Sequence, residues 1–348
     1  MKIALLNDSH FGARGDSQLF LDYFMTFFEK VFFPYLKEHD ITTIIHAGDF
    51  MDRRKFVNFN VLNHIHDRFI SVLNDNNIKM HCILGNHDVY YRNTNRINSL
   101  QELFNNDIII YEEPQVVNFD GLDVALLPWV NKENYDESVR FIKTANAPIL
   151  IGHLELDGYH VMRGIEYHGG MPADLFKRYE QVLSGHFHCR QKKDNIYYLG
   201  TQYQITFSDL LEQKGFHILD TDTRELEFVP NPFKMFVELN YNDKDGPLVP
   251  NASDHVHLKD TYVRVIVESK NHPYSFDQFI DQLYTAGVSK ITIVEESLDI
   301  LDNEDDIVDL AQDTVTLINN EVDGLEEVKD KDKMKKLIKD LYMESISL

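Results

Sequence analysis

Lys79-Met80-His81-Cys82-Ile83-Leu84-Gly85-Asn86-His87-Asp88 is the stretch that decides the fold. A mostly apolar run of strand length stops at a glycine, and an amide, an imidazole and a carboxylate follow at once. Moving outward, the same arrangement returns four times. The run 41–47 ends at Gly48-Asp49, and the run 2–7 ends at Asp8-Ser9-His10. The run 148–151 ends at Gly152-His153, and 181–183 leads into Ser184-Gly185-His186-Phe187-His188. Between the first two runs, Leu19, Phe20, Tyr23, Phe24, Phe27, Phe28, Val31, Tyr35 and Leu36 recur at helical spacing, and residues 60–73 predict another helix. Residues 116–119 and 124–127, with Asp120-Gly121 between them, predict a hairpin. Strands alternating with helices predict an α/β fold, and two or three further strands carry it to about residue 230. In such sheets ligands sit beyond the carboxyl ends of the strands, where the loops converge. Five polar turns at five strand ends amount to a built site.

Beyond Asn231-Pro232 the pattern changes. Residues 262–268 predict a strand, 276–286 a helix and 290–296 a strand, which together make a small α+β unit. From residue 299 the chain is acidic (Asp299, Asp302, Glu304, Asp305, Asp306, Asp309), then mixed in charge and helical in pattern to Leu348. The expected division is therefore 1–230, 231–298 and 299–348, with 299–309 a solvated linker or turn.

Composition bounds the function. Of 348 residues 43% are apolar, with 23 Phe and 17 Tyr, enough for a large core without covalent staples. Cys82 and Cys189 are too few for a disulfide framework, which suits a reducing compartment, and Cys82 reads as a small buried strand residue. No apolar run approaches the roughly 18 residues that span a bilayer, and residues 1–6 run straight into Asn7-Asp8 rather than forming a signal peptide. A soluble, cytoplasmic protein is expected. The net charge of −23 argues against a free-standing nucleic-acid binder, which would carry a basic stripe. It does not exclude an enzyme on nucleic acid whose positive charge comes from metal ions and a partner subunit.

The residue types at the five turns define a chemistry. Carboxylate, amide and imidazole donors without thiolate suit borderline divalent ions such as Mn²⁺, Fe²⁺ or Zn²⁺. Two such ions about 3.5–4 Å apart need a shared anionic ligand, and Asp49, on a central strand, is the natural bridge. The glycines let the backbone turn tightly enough to aim the next side chain at an ion. Five of the 16 histidines fall in these turns; the rest, His39, His64, His66, His81 and His168 among them, are expected at the surface or as satisfied core residues.

These motifs, in this order, resemble the calcineurin-like metallophosphoesterase superfamily over roughly residues 1–225. The resemblance implies a four-layer α-β-β-α sandwich followed by a small α+β capping domain and C-terminal helices. It implies one metal held by Asp8, His10, Asp49 and His188, and a second held by Asp49, Asn86, His153 and His186. His87 corresponds to the family's catalytic histidine, which contacts the scissile phosphate and assists the leaving oxygen. Asp88 is expected to orient His87, since a carboxylate behind an imidazole fixes its tautomer.

Within the superfamily, the run Gly48-Asp49-Phe50-Met51-Asp52-Arg53-Arg54 departs from the phosphatase signature, which has glycine where Arg54 stands and glutamate where Asp88 stands. Asn7-Asp8-Ser9-His10, Leu127-Pro128-Trp129, Gly152-His153-Leu154-Glu155-Leu156-Asp157-Gly158 and Tyr198-Leu199-Gly200-Thr201 are instead similar to the SbcD-like nucleases, including the nuclease subunit of the recombination endonuclease of T-even-type phages. That likeness implies a Mn²⁺-dependent (or Mg²⁺-dependent) 3′–5′ exonuclease and single-strand endonuclease serving recombination and break repair. It also implies a homodimer, formed through helices at about 60–73 and 94–104, within a heterotetramer with an SbcC-type coiled-coil ATPase. Residues 231–298 would cap DNA, and the C-terminal helices would dock on the ATPase. Relatives often carry histidine where Asp52 stands, so their directionality does not transfer directly. Arg53, Arg54, Lys55, Arg92 and Arg96 are the candidate phosphate contacts, being cations in loops after metal-binding strands. The competing expectations are a phosphatase or phosphodiesterase for small or protein phosphoesters, and a metal-binding scaffold without catalysis.

Overall fold

Every second residue of the first strand faces a different apolar interior, and the whole architecture follows from that alternation. In the computed structural model, which describes residues 1–162, 164–247, 252–295, 331 and 333–334, strand β1 (Lys2–Leu6) sends Ile3 and Leu5 to one side and Ala4 and Leu6 to the other. A strand buried on both faces must lie in a covered sheet. The chain continues with β2 (Thr43–His46), β3 (Lys79–Ile83), β4 (Ile109–Tyr111), β5 (Gln115–Phe119), β6 (Leu122–Leu127) and β7 (Ile149–His153). A short hairpin of β8 (Tyr159–Met162) and β9 (Ile165–Tyr167) precedes β10 (Gln181–Gly185), β11 (Gln191–Lys193), β12 (Ile196–Tyr198), β13 (Gly215–Asp220) and β14 (Leu226–Pro230).

These strands form two six-stranded sheets, ordered β14-β13-β1-β2-β3-β4 and β11-β12-β10-β7-β6-β5. Ile3, Leu5, Ile45 and Ile83 of the first share one core with Val124, Leu126, Ile149, Ile151 and Leu183 of the second. The outer face of the first sheet packs on the helical segments Gln18–Phe27, Phe33–Glu38, Phe59–Ile65 and Ser71–Asp75. The outer face of the second packs on Tyr135–Thr144. The expected α-β-β-α sandwich is thus present. β1, β2, β3 and β4 run parallel, as do β6, β7 and β10, so their carboxyl ends emerge together in each sheet.

Aromatic packing anchors the loops that leave those ends. Phe11, directly after His10, and Phe50, directly after Asp49, are fully buried with ring centroids 5.0 Å apart. Both lie 5.8 Å from Phe69, and Phe11 lies 5.7 Å from Phe28. Phe28 and Phe69 belong to π-helical turns, Phe28–Phe32 and His66–Ile70, inside the two long helices and meet edge to face at 4.9 Å. The residue after His10 and the residue after Asp49 are therefore hydrophobic anchors, each worth roughly 1.5–3 kcal/mol of burial.

Some boundaries differ from expectation. The helix expected over 94–104 forms only as Ser99–Phe104, because Asn98 in an extended conformation caps it, its side chain accepting the Gln101 amide at 2.8 Å. Strand β15 (Phe236–Asn242) was not expected. It pairs in parallel with β16 (Tyr262–Ser269), and with β17 (Lys290–Glu295) they form a three-stranded sheet. Its core is Tyr241, Val263 and Val265 against Phe276, Phe279 and Leu283 of the helix Pro273–Thr285. All of this belongs to one unit, Met1–Val294; a second runs Glu295–Leu348. Apart from Lys331, Lys333 and Met334, the stretch 299–348 lies outside the described residues. Among the described residues no helix is long and apolar enough to cross a membrane, and Cys82 and Cys189 are both free, Cys82 being buried.

Candidate metal centre

Strand ends in both sheets contribute to one buried cluster. Asp8, His10 and His188 place one donor atom each within 4.8 Å of one another, as do His10, Asp49 and His87, and likewise Asp49, His153 and His186. The three groups share members, so they are one site with Asp49 and His10 at its centre. Asn86 closes it: its Oδ1 is 2.9 Å from His153 Nε2 and 3.0 Å from His186 Nδ1. All seven residues expected as metal ligands, with His87, are thereby brought together.

The backbone is strained to do this. Asp8, His10, Asp49 and His186 all have φ between +44° and +84°, a left-handed conformation that costs non-glycine residues of order 1–3 kcal/mol each. Glycine is needed where two loops touch. A Cβ on Gly85 would lie 2.1 Å from Asp49 Oδ1, and one on Gly48, itself at φ +90°, would lie 2.6 Å from His153 Nδ1.

Neighbours hold each donor in place. The His87 amide donates to Asp49 Oδ1 at 2.7 Å, and the His186 amide donates to Asp8 Oδ2 at 3.0 Å. His153 Nδ1 donates to the Ala47 carbonyl at 2.8 Å, which leaves Nε2 bare toward Asn86 and Asp49. His87 Nδ1 donates to the Asp52 carbonyl at 2.6 Å, leaving its Nε2 for a reacting group.

The last contact corrects the expected role of Asp88. Its buried carboxylate does not touch His87; it accepts the backbone amides of Asp49, Phe50, Met51 and Gly85 at 2.9–3.1 Å. The turn at residues 85–88 folds this side chain beneath the Asp49 loop, so Asp88 clamps the 49–51 and 85–88 loops together. Burial, with Asp49 nearby, pushes its carboxyl up to about 7, against the downward pull of the Gly85 and Met51 amides.

Two positioning residues were missed in the sequence. Asp52 offers its carbonyl to His87 and its carboxylate oxygen lies 3.2 Å from His10 Nδ1, so one residue sets two imidazoles. Lys214, buried between Asp209 at 2.6 Å and Glu212 at 2.8 Å, donates to the His188 carbonyl at 2.9 Å. An acid three residues past Asp49 was a visible signal for the first. Nothing local marked the second.

The electrostatics ask for positive charge. Burial alone would raise Asp49, yet His153, His87 and His10 hold it well below the usual carboxylate range. Burial would lower His10 and His153, but Asp52 and Asp49 raise His10, and Asp49 raises His153, each to about 9. Burial, with His153 near one and His10 near the other, drives His186 and His188 well below the ordinary histidine value. Two imidazole nitrogens, His10 Nε2 and His188 Nε2, stand 3.1 Å apart, and buried His186 Nε2 has no hydrogen-bond partner among the described residues. Converging lone pairs around buried carboxylates are what divalent cations satisfy, displacing the protons that otherwise balance the charge. The donor set fits such ions.

Of the five candidate phosphate contacts, Arg53 pairs with Asp16 at 2.9 Å and Arg96 with Glu133 at 2.6 Å. Lys55 is exposed, its ammonium 5.5 Å from the Tyr90 ring centroid, and Arg92 is exposed too, whereas Arg54 is half-buried.

A parallel-stranded sandwich with acid and imidazole donors at the strand ends defines a class, and the chain belongs to it: the calcineurin-like phosphoesterase family matches residues 1–190. It is a metal-dependent phosphodiesterase of a family that uses a dinuclear metal site. Exonuclease subunit 1 of Enterobacteria phage T4 is 30% identical, over 96% of this chain and 95% of that protein. The SbcD component of the SbcCD nuclease of Staphylococcus epidermidis is 24% identical, over 77% of this chain and 81% of that one. An archaeal phosphodiesterase of solved structure is 16% identical, over 66% of this chain and 100% of that one, with a TM-score of 0.31.

Proposed function

We propose that this phosphodiesterase is a two-metal DNA nuclease, with 3′–5′ exonuclease and single-strand endonuclease activity, serving recombination and DNA break processing. The observation that carries the reading is the convergence of seven donor-bearing side chains around Asp49, in a chain similar along nearly its whole length to an exonuclease subunit. Mn²⁺ is the ion we favour, with Mg²⁺ as a substitute. Asp8, His10, Asp49 and His188 would hold one ion, and Asp49, Asn86, His153 and His186 the other. Bound there, the pair supplies activated water and neutralises charge on the phosphoryl group.

The chain's own residues do the rest. Asp49 would balance both ions, Asp52 sets the His10 and His87 imidazoles, and Lys214 holds the His188 backbone carbonyl. His87, with Nδ1 committed to the Asp52 carbonyl, carries a proton at Nε2 for the departing sugar oxygen. Water adds to phosphorus as the phosphorus–oxygen bond to the sugar breaks, so no covalent enzyme intermediate is required. Arg53, Arg54, Lys55, Arg92 and Arg96 would meet DNA phosphates, Arg53 and Arg96 exchanging Asp16 and Glu133 for phosphate oxygens.

The partner set follows the SbcD-like relatives. Residues 1–230 would form the nuclease domain and 231–298 a DNA-capping domain. Residues 299–348 would dock an SbcC-type coiled-coil ATPase in a heterotetramer built on a homodimer of this chain, located in the cytoplasm, or the host cytoplasm if the gene is a phage's. A basic partner surface offsets the −23 net charge that would otherwise repel DNA.

Substrate class is tested by one comparison. With Mn²⁺, the chain is expected to shorten end-labelled DNA and to hydrolyse a dye phosphodiester, leaving a phosphopeptide intact. Hydrolysis of the peptide with DNA untouched would move the chain to the phosphatases.

A further inference from the structure

Beside the metal centre, and outside the donor set apart from His153 at its edge, lies a cavity of about 540 Å³. That volume falls within the roughly 300–1,000 Å³ of small-ligand sites. Its most distinctive wall is Trp129, the chain's single tryptophan. The indole is half-buried and packs on two ligand imidazoles, with ring centroids 5.3 Å from His186 and 5.9 Å from His153. Its backbone is pinned from several directions. The Trp129 amide donates to the Leu84 carbonyl at the end of β3 at 2.8 Å, and its carbonyl accepts Asn95 Nδ2 at 3.1 Å and Asn134 Nδ2 at 3.0 Å. A large aromatic surface held this firmly is a platform.

The charge on the other walls says what the platform suits. Tyr135, 44% exposed, adds a second ring, while Asp136 and Glu155 outnumber Lys132. A phosphodiester anion is disfavoured among two carboxylates and one ammonium. A nucleobase is neutral, flat and edged with donors and acceptors that carboxylates, a lysine and Asn131 can all meet. We propose that this cavity receives the unpaired nucleobase of the nucleotide whose phosphate lies at the metal centre, stacked on Trp129. The proposal rests on the nuclease reading and deepens it: the site takes a nucleotide flipped out of the stack, as in a single strand or a frayed end, and a paired base does not reach it.

Base-on-aromatic stacking is lost together with the ring, so preference for a base is the quantity to measure. Wild-type protein with Mn²⁺ is given two single-stranded oligonucleotides, one intact and one abasic at the nucleotide next to the cleaved bond. We expect kcat/KM to favour the intact strand by about tenfold in wild type. The ratio should fall to near one in Trp129→Ala and in Trp129→Leu, which keeps bulk but has no π-face, and stay severalfold in Trp129→Phe. Because the readout is a ratio within one variant, a general loss of activity or folded protein does not alter it. An undiminished ratio in Trp129→Ala and Trp129→Leu, or no preference in wild type, overturns the base subsite and leaves the nuclease reading standing. Failure of wild type to cut either strand while it hydrolyses a dye phosphodiester overturns the nuclease reading, and the subsite with it.

Discussion

Asp49→Ala is expected to remove metal binding and hydrolysis together. Asp49 is the one carboxylate shared by two of the three donor groups, and its oxygens also take the His87 amide and approach His153 Nε2 at 3.2 Å. Without it, two cations held at this site would have no common anion to offset their repulsion. The Gly85-Asn86-His87 turn also loses the oxygen that its amide holds. Activity on a dye phosphodiester should drop by roughly 10³-fold or more. Calorimetric titration with Mn²⁺ should fall from two ions bound to one at most. A variant that still bound two ions would show that another residue bridges them.

His87→Ala is expected to separate what Asp49→Ala joins. The His87 side chain leans on the Asp52 carbonyl through Nδ1, so its loss leaves the hydrogen bonds of Asp8, Asn86, His153 and His186 in place. Mn²⁺ stoichiometry should stay at two while kcat drops by roughly 10²–10⁴-fold, the usual worth of a positioned acid or base. The loss should shrink on a diester whose leaving group is a nitrophenol, which departs without a proton. Cleavage of DNA at the wild-type rate would remove His87 from the chemistry.

These two residues were legible in the sequence for a simple reason. Both sit in a turn directly after a buried strand, and the apolar runs at 2–7, 41–47 and 79–84 announce their ends with a glycine or an aspartate. Parallel strands deliver such turns to one edge, so order along the chain becomes proximity in space. What stayed hidden depends on how a turn folds. Asp88 follows His87 in the chain, yet its carboxylate swings under the Asp49 loop to gather four amides. Asp52 lies in irregular backbone, and its work is done largely by a carbonyl, a group every residue has. Lys214 reaches His188 from a distant loop with no periodic signal. In β15, by contrast, Val237, Leu239 and Tyr241 alternate with Glu238, Asn240 and Asn242, the period-2 pattern of a half-buried strand, so that element was legible in the sequence. Arg53 and Arg96 were visible as cations, but their carboxylate partners Asp16 and Glu133 come from other segments.

The organisation of the site also explains its stability. Four left-handed donor residues, Asp8, His10, Asp49 and His186, are a local cost, and the buried anchors Phe11 and Phe50, the Asp88 clamp and the Lys214 pair offset it.

Anomalous diffraction from crystals soaked in Mn²⁺ would locate the ions directly. Two peaks are expected about 3.5–4 Å apart, both in contact with Asp49, one also reached by Asp8 and His188 and the other by Asn86 and His186. A single peak, or peaks that Asp49 does not touch, would contradict that arrangement.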